Sequence, residues 1–125
     1  MNSDVMIDLE TLDTTPTATI LTIGAVKFDP FGDDIREKKA QKFYAKIDID
    51  SCDKLGLTTS QSTIDWWAQQ SQQAQDEAFS TEGRISIQEA FKQLYKFCWG
   101  AQRVWSHGSA FDIVICEHVF AKIGK

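Results

Sequence analysis

The most constraining feature of the chain is a short strand pattern near its start that ends in two acids. Apolar residues occupy every second position of segment 4–9, which is the period of a half-buried β-strand. Asp8 and Glu10 share the opposite face, where they lie roughly 7 Å apart along the strand. The pattern predicts a strand whose apolar face packs on a core and whose other face presents two carboxylates. These are either ligands that converge on one ion or solvated acids at a frayed strand end.

The first fifty residues favour a three-stranded antiparallel meander. Segment 19–29 is apolar on both faces, so we expect it to lie centrally in a sheet. Segment 42–50 alternates apolar and polar residues and predicts the third strand. Together with segment 4–9, these stretches predict one continuous sheet.

The second half of the chain has a helical period. The patterns Ser62-Thr63-Ile64-Asp65 and Ser86-Ile87-Gln88-Glu89 are typical of helix starts, and segment 69–79 reads as helical or irregular. A short strand over 103–106 and a last helix over 109–123 follow. The order predicts an α/β domain in which a mixed sheet, the meander followed by a parallel strand, is flanked by helices.

Composition narrows the functional classes. The net charge of −5 argues against broad, sequence-independent attraction to a polyanion, although it does not exclude a nuclease. No apolar run is long enough to span a membrane. Cys98 and Cys116 lie in apolar helical patterns and are expected to be buried thiols, which suits a reducing cytoplasm.

Asp112 is the third acid in an unusual position. With Ser109 it forms a helix-capping pattern, and an acid in a first helical turn suits the helix dipole. It also shares a helix face with Ile115, Cys116 and Val119, which would turn it inward, where a carboxylate needs a partner or a metal. The residues alone leave both readings open.

A set of carboxylates without a His/Cys cluster suits a hard cation. Mg²⁺ or Mn²⁺ prefers all-oxygen sites, whereas zinc prefers imidazole and thiolate ligands. Two such ions about 4 Å apart, bridged by carboxylates, form an arrangement that hydrolyses phosphodiesters.

Taken together, these motifs resemble the DnaQ-like (DEDD) 3′–5′ exonucleases of the ribonuclease H-like superfamily, in the phage and bacterial branch near ribonuclease T. The stretches that are similar span essentially all of the chain and read MIDLETL, ILTIGAVKFDP, TIDWWAQQS and VWSHGSAFDIVICEHVF.

The resemblance implies a function and a role for each motif. Asp8, Glu10 and Asp112 would be the catalytic ligands of two Mg²⁺ or Mn²⁺ ions. Thr11 and Leu12 would hold the 3′-terminal nucleotide of single-stranded DNA or RNA, and Phe111 would lie near its base or sugar.

The adjacent residues Trp66 and Trp67 point about 100° apart on a helix. Either both rings pack against the sheet, or one forms a platform for a nucleobase at the edge of a cleft. Trp99 and Trp105 are expected in the core.

The remaining features are two histidines and a family motif that has no match in the sequence. His107 lies in a loop that could face the cleft, and His118 is expected on a helix surface. The family's third motif, a general-base His or Tyr with a fourth acid, has no match. Residues 1–125 therefore read as a single exonuclease-like domain that is incomplete at its C-terminus, with weak or no activity by itself.

Three functions follow from these patterns. The first is a 3′–5′ exonuclease, in the cytoplasm (the host cytoplasm if phage-encoded). The resemblance allows a homodimer, since dimers are common among such exonucleases, but the sequence does not fix the oligomeric state. The alternative is a catalytically incomplete module that binds nucleic acid or protein. The third is a ribonuclease H-like domain with another phosphoryl-transfer task, such as an endonuclease.

Overall fold

Five strands form one sheet, and helices lie on its two faces. The computed structural model describes residues 3–31, 40–106 and 111–124. The strands are β1 (Asp4–Thr11), β2 (Ile20–Phe28), β3 (Gln41–Ile47), β4 (Arg84–Ile85) and β5 (Arg103–Ser106). The helices are α1 (Ile49–Lys54), α2 (Gln61–Ala68), α3 (Gln72–Phe79), α4 (Ile87–Cys98) and α5 (Phe111–Ile123).

The sheet has the order β4-β3-β2-β1-β5. β1, β2 and β3 pair antiparallel as a meander, and β5 pairs parallel with β1. The predicted α/β class, with a mixed sheet flanked by helices, is confirmed. β4, which pairs parallel with β3, was not predicted because two residues are too few to show a period.

The third strand is shorter than predicted. β3 ends at Ile47, and the side chain of Asp48 accepts a hydrogen bond from the Asp50 backbone N–H as the N-cap of α1. Ile49, which continues the alternation of the strand, therefore begins a helix. The capping acid determines the boundary here, and the strand period does not.

One of the two predicted helix starts is displaced. α4 begins after Ser86, as predicted, and the Ser86 hydroxyl accepts from the Glu89 backbone N–H at 3.1 Å. α2 begins two residues earlier than predicted, because Ser60 and not Ser62 is its N-cap. The segment 69–79 contains α3.

The main core lies between one face of the sheet and helices α1, α4 and α5. Its residues from the sheet include Val5, Ile7 and Leu9 of β1, as the alternation predicted. A second, smaller cluster on the other face joins Leu12 and Leu21 to the two helices α2 and α3 through Trp67 and Ala78. No helix in the described part of the chain is long and apolar enough to cross a membrane.

Two tryptophans expected in the core are exposed. Trp99 follows the end of α4 and is 72% exposed, and Trp105 lies on the edge strand β5 and is 46% exposed. An edge strand has a neighbour on one side only, so its large side chains keep contact with solvent. Cys116 is buried as predicted, whereas Cys98 is half-buried.

The connection between β1 and β2 is fastened to the segment that precedes α2. The Leu12 N–H donates to the Thr19 carbonyl at 2.9 Å, and the Ser60 N–H donates to the Leu12 carbonyl at 2.9 Å. Thr58 exchanges two backbone hydrogen bonds of 2.8 Å with Thr17 and Thr19. These bonds fix the start of α2 beside the end of β1.

The side chain of Asp13 adds hydrogen bonds to this attachment. Its buried carboxylate accepts the Thr58 hydroxyl at 2.6 Å and the Thr14 backbone N–H at 2.7 Å. Hydrogen bonds to the charged form, first from Thr58 and then from Thr14, lower the pKa of Asp13. The ionised acid therefore holds two segments together that are 45 residues apart.

Asp4 joins the edge strand β5 to β1. Its fully buried carboxylate accepts hydrogen bonds from the hydroxyl of Ser3 at 2.7 Å, from Nε of Arg103 at 3.0 Å and from Nε1 of Trp105 at 2.7 Å. The Arg103 hydrogen bond is the largest of the effects that lower the pKa of Asp4 to about 2. The charged form of Asp4 therefore stabilises the fold.

We expect the substitution Asp4→Asn to destabilise the protein in a pH-dependent way. Because the folded-state pKa of Asp4 is below its ordinary value of 3.8, the stability it contributes is present above about pH 4 and lost between about pH 4 and pH 2. The urea midpoint of Asp4→Asn should fall below that of the wild type at neutral pH, and the difference should shrink towards pH 2. Asp53→Asn, at an exposed position of α1, is the control. A difference that is independent of pH would contradict this assignment.

Candidate active site

Asp8 and Glu10 lie near the end of β1, on the sheet face opposite the main core. Asp8 is paired with Gly24 of β2 and is exposed, and Glu10 is paired with Thr22 and is half-buried. The register between β1 and β2 shifts just after Glu10, as at a β-bulge, a feature that is frequent next to active sites. The structure thus places both acids on one face, as the alternation predicted.

A pocket of about 590 Å³ opens beside these acids. It brings together the end of β1, the connection that follows it, one face of α2 and the head of α5. The lining residues are Asp8, Leu9, Glu10, Thr11, Asp13, Thr14, Ser62, Thr63, Trp66, Trp67 and Phe111. Segments that are about 50 and 100 residues from the acids therefore supply the walls of the pocket.

A larger groove of about 970 Å³ lies elsewhere, between α4 and α5. It is lined mainly by apolar and aromatic side chains with two lysines, and no carboxylate lines it within the described ranges. The candidate site is the smaller pocket, because the paired acids Asp8 and Glu10 line it.

Phe111 lines the pocket, and Asp112, the next residue of α5, is buried with 6% of its surface exposed. Ile115, Cys116 and Val119 are buried on the same helix, so the inward direction predicted for Asp112 is confirmed. Burial raises the pKa of the Cys116 thiol to about 12, and the nearby Asp112 charge adds to this effect.

The donor chemistry of the pocket fits a hard cation. Asp8 and Glu10 offer carboxylate oxygens, and neither a thiol nor an imidazole lines the pocket among the residues described. Across residues 3–31, 40–106 and 111–124, no three His, Cys, Asp or Glu side chains lie close enough to form a metal site. Coordination by Asp8, Glu10 and Asp112 together therefore stays a prediction.

The surroundings of Glu10 are polar but carry little positive charge. The Thr22 hydroxyl donates to Oε1 of Glu10 at 2.7 Å. On the next strand, burial raises the pKa of the Tyr44 hydroxyl, and the negative charges of Glu77 and Glu10 raise it further. The acids Asp8, Glu10 and Asp13 line the pocket, and among the residues described no lysine or arginine does, so the pocket is electronegative.

The two adjacent tryptophans have different environments. Trp67 is 7% exposed, and its Nε1 donates to the Thr11 carbonyl at 2.9 Å. Trp66 is 53% exposed, and its ring stands edge-on to Trp67 with the centroids 5.0 Å apart. Trp67 therefore attaches α2 to the end of β1, while the exposed ring of Trp66 lines the pocket.

Thr11 and Leu12, the two residues after Glu10, differ in their exposure to the pocket. Thr11 lines the pocket, but Leu12 is buried in the second cluster, and both of its backbone groups are hydrogen-bonded to Thr19 and Ser60. Nucleotide binding by the backbone of Leu12 would require these bonds to open.

Of the two histidines, His118 lies in the described part of the chain, and it does not line the pocket. His107 lies outside the described residues. His118 is not on the surface as predicted: it is half-buried, and its Nε2 is buried with no hydrogen-bond partner within the described structure. Phe120 and Ile123 of α5 also pack against the main core, so this helix is covered over a wider face than its apolar stripe predicted.

Sequence reasoning missed three residues that shape the site. Asp13 and Thr14 follow β1 in a stretch rich in turn-forming residues, which was a usable signal. Thr22 contacts Glu10 only because of the register between β1 and β2, and the sequence shows no sign of that register.

Comparison with known proteins gives a family. The model of the Rv2179c-like domain, described as a 3′–5′ exoribonuclease domain, matches residues 3–125. No curated protein matches the chain. The mixed sheet with its flanking helices agrees with a ribonuclease H-like fold. Since the match covers nearly the whole sequence, the chain belongs to the Rv2179c-like 3′–5′ exoribonuclease domain family.

Proposed function

We propose that this domain is a DnaQ-like 3′–5′ exonuclease that removes nucleotides from the 3′ end of single-stranded RNA with two Mg²⁺ or Mn²⁺ ions. The observation that supports the proposal most is the pair Asp8 and Glu10, which share one strand face and one pocket with Trp66 and Phe111. The family description favours RNA over DNA as the substrate.

The acids would act as ligands. Asp8 and Glu10 would hold the ions from β1, and Asp112 would add a carboxylate from α5. Such ions, when bound, activate water and stabilise the leaving oxygen of the phosphodiester. The protein contributes a strand of fixed register, because β1 pairs with β2 through Asp8 and Glu10 and with β5 over Asp4–Ile7.

The aromatic residues would position the terminal nucleotide. Trp66 and Phe111 come from two different helices and line the same pocket. Stacking on an aromatic ring tolerates any base, so removal of nucleotides would not depend on sequence. A volume of about 590 Å³ is typical of small-ligand sites and suits a single nucleotide.

The site works without a broad positive surface. The net charge of −5 repels the RNA backbone at long range, so binding would rest on local stacking and on the bound ions. All three cysteines are free, as expected in a reducing compartment. The cytoplasmic location and the homodimer stay predictions.

The first test is the substitution Asp8→Asn, assayed on 5′-labelled single-stranded RNA with Mn²⁺ and the full-length product of the gene. Removing a group that only hydrogen-bonds to a metal ligand typically lowers metal affinity or activity about 10–100-fold. Loss of a ligand itself should therefore slow trimming by more than about 100-fold. The wild type and the exposed-acid control Asp53→Asn should both give a ladder that shortens by one nucleotide at a time.

Each other outcome of this assay has a clear meaning. Unchanged trimming by Asp8→Asn would reject Asp8 as a ligand. Internal cuts would indicate an endonuclease. RNA binding by the wild type without any cleavage would reject the exonuclease and favour a binding module.

The second test concerns the base platform. Base–aromatic stacking contributes about 1–3 kcal/mol per base, so Trp66→Ala should weaken binding of a short RNA roughly 10- to 100-fold. Trp66→Phe should keep most of the affinity. Trp99→Ala removes a ring that is 72% exposed and outside the pocket, and it should bind RNA like the wild type. Equal effects of Trp66→Ala and Trp99→Ala, measured by fluorescence anisotropy, would argue against a platform.

A further inference from the structure

The carboxylate of Glu10 is held by a buried neutral donor. Thr22 is 2% exposed, and its hydroxyl donates to Oε1 of Glu10 at 2.7 Å across the pairing of β1 with β2. A buried hydroxyl needs a hydrogen-bond partner, so this contact restricts both side chains. Within the described residues, Oε2 of Glu10 has no hydrogen bond to protein and remains available to the pocket.

Two positively charged side chains in the same row of the sheet as Thr22 form hydrogen bonds to groups other than Glu10. Lys46 is the partner of Thr22 on β3, and its Nζ donates to the Ser80 hydroxyl at 2.6 Å. Arg84, the partner of Lys46 on β4, directs its guanidinium to backbone carbonyls, among them those of Leu21 and Ile47 at 3.0 and 2.9 Å. Neither Lys46 nor Arg84 forms an ion pair with Glu10, so neither of these side chains competes with a cation for its carboxylate.

The type of donor decides what Glu10 can do. A lysine or arginine at this contact would orient the carboxylate but would also neutralise it and compete with a cation. A hydroxyl orients the carboxylate through one hydrogen bond and leaves the negative charge in place. Metal-ligating carboxylates commonly have such a second contact, which limits the orientations of the ligand.

We propose that Thr22 is a positioning residue that orients Glu10 for a divalent cation in the pocket beside Asp8. The inference rests on the proposed function, because it assumes that Glu10 binds the ion. It adds a residue that acts through the Glu10 carboxylate and would touch neither the ion nor the substrate.

The test compares Thr22→Val, which replaces the hydroxyl with a methyl group of similar size, with Thr22→Ser, which keeps it. Mn²⁺ affinity is measured on the full-length product of the gene by electron paramagnetic resonance of the free ion, without RNA. Thr22→Val should weaken Mn²⁺ binding about 10- to 100-fold, and Thr22→Ser should bind like the wild type. Thr19→Val, a buried threonine outside the pocket, is the matched control and should bind Mn²⁺ normally.

Thermal unfolding without metal separates positioning from folding. If Thr22→Val lowers the Tm more than Thr19→Val does, Thr22→Ala is measured in its place. Thr22→Ala opens space instead of placing a methyl group beside the carboxylate. The same loss of Mn²⁺ affinity is expected for it. Mn²⁺ binding by the Thr22 variant equal to that of the wild type would overturn the inference alone. A wild-type protein that binds no Mn²⁺ would overturn the proposed metal site and the inference together.

Discussion

The position of β1 between β2 and β5 is the constraint on which the site depends. Hydrogen bonds on both sides of the strand fix its register, and a slip of one residue would exchange its two faces. Val5, Ile7 and Leu9 are therefore committed to the core, and Asp8 and Glu10 to the opposite face. The apolar half of the strand provides the stability that holds the acidic half in place.

The remaining walls of the pocket depend on one polar attachment. The connection after β1 is fastened to Thr58 and Ser60 by backbone hydrogen bonds and to Thr58 by the Asp13 carboxylate. This attachment places α2 so that Trp67 reaches the Thr11 carbonyl, and Trp66 consequently faces the pocket. Asp13, a buried acid with no part in the proposed chemistry, thus helps to bring the acids of β1 and the Trp66 ring of α2 to one pocket.

Local pattern predicted the elements and the face of the sheet that carries the acids. The strands of the meander, the cap at Ser86 and the shared face of Asp8 and Glu10 follow from periodicity and capping over a few residues, and the parallel last strand was inferred from the order of the elements. The resemblance to 3′–5′ exonucleases is confirmed at the level of the family, and the DnaQ-like branch and the roles of the site residues stay predictions.

What the sequence could not show depends on partners distant along the chain. Asp13 meets a hydroxyl 45 residues away, and Trp105 donates to a carboxylate 101 residues away, at a sheet edge where its ring remains exposed. The contact between Thr22 and Glu10 requires the strand register, which alternation alone leaves undetermined. These contacts could not be predicted for one reason. The period of a sequence indicates which face of a strand or helix a residue occupies, but not which residue lies opposite it.

Whether Asp8 and Glu10 hold the ions can be seen by locating Mn²⁺ with anomalous diffraction from crystals soaked at concentrations that support RNA trimming. We expect an anomalous peak in the pocket at roughly 2 Å from carboxylate oxygens of Asp8 and Glu10. A pocket that shows no peak while the protein in solution trims RNA would contradict this assignment, because the chemistry would then take place at another site.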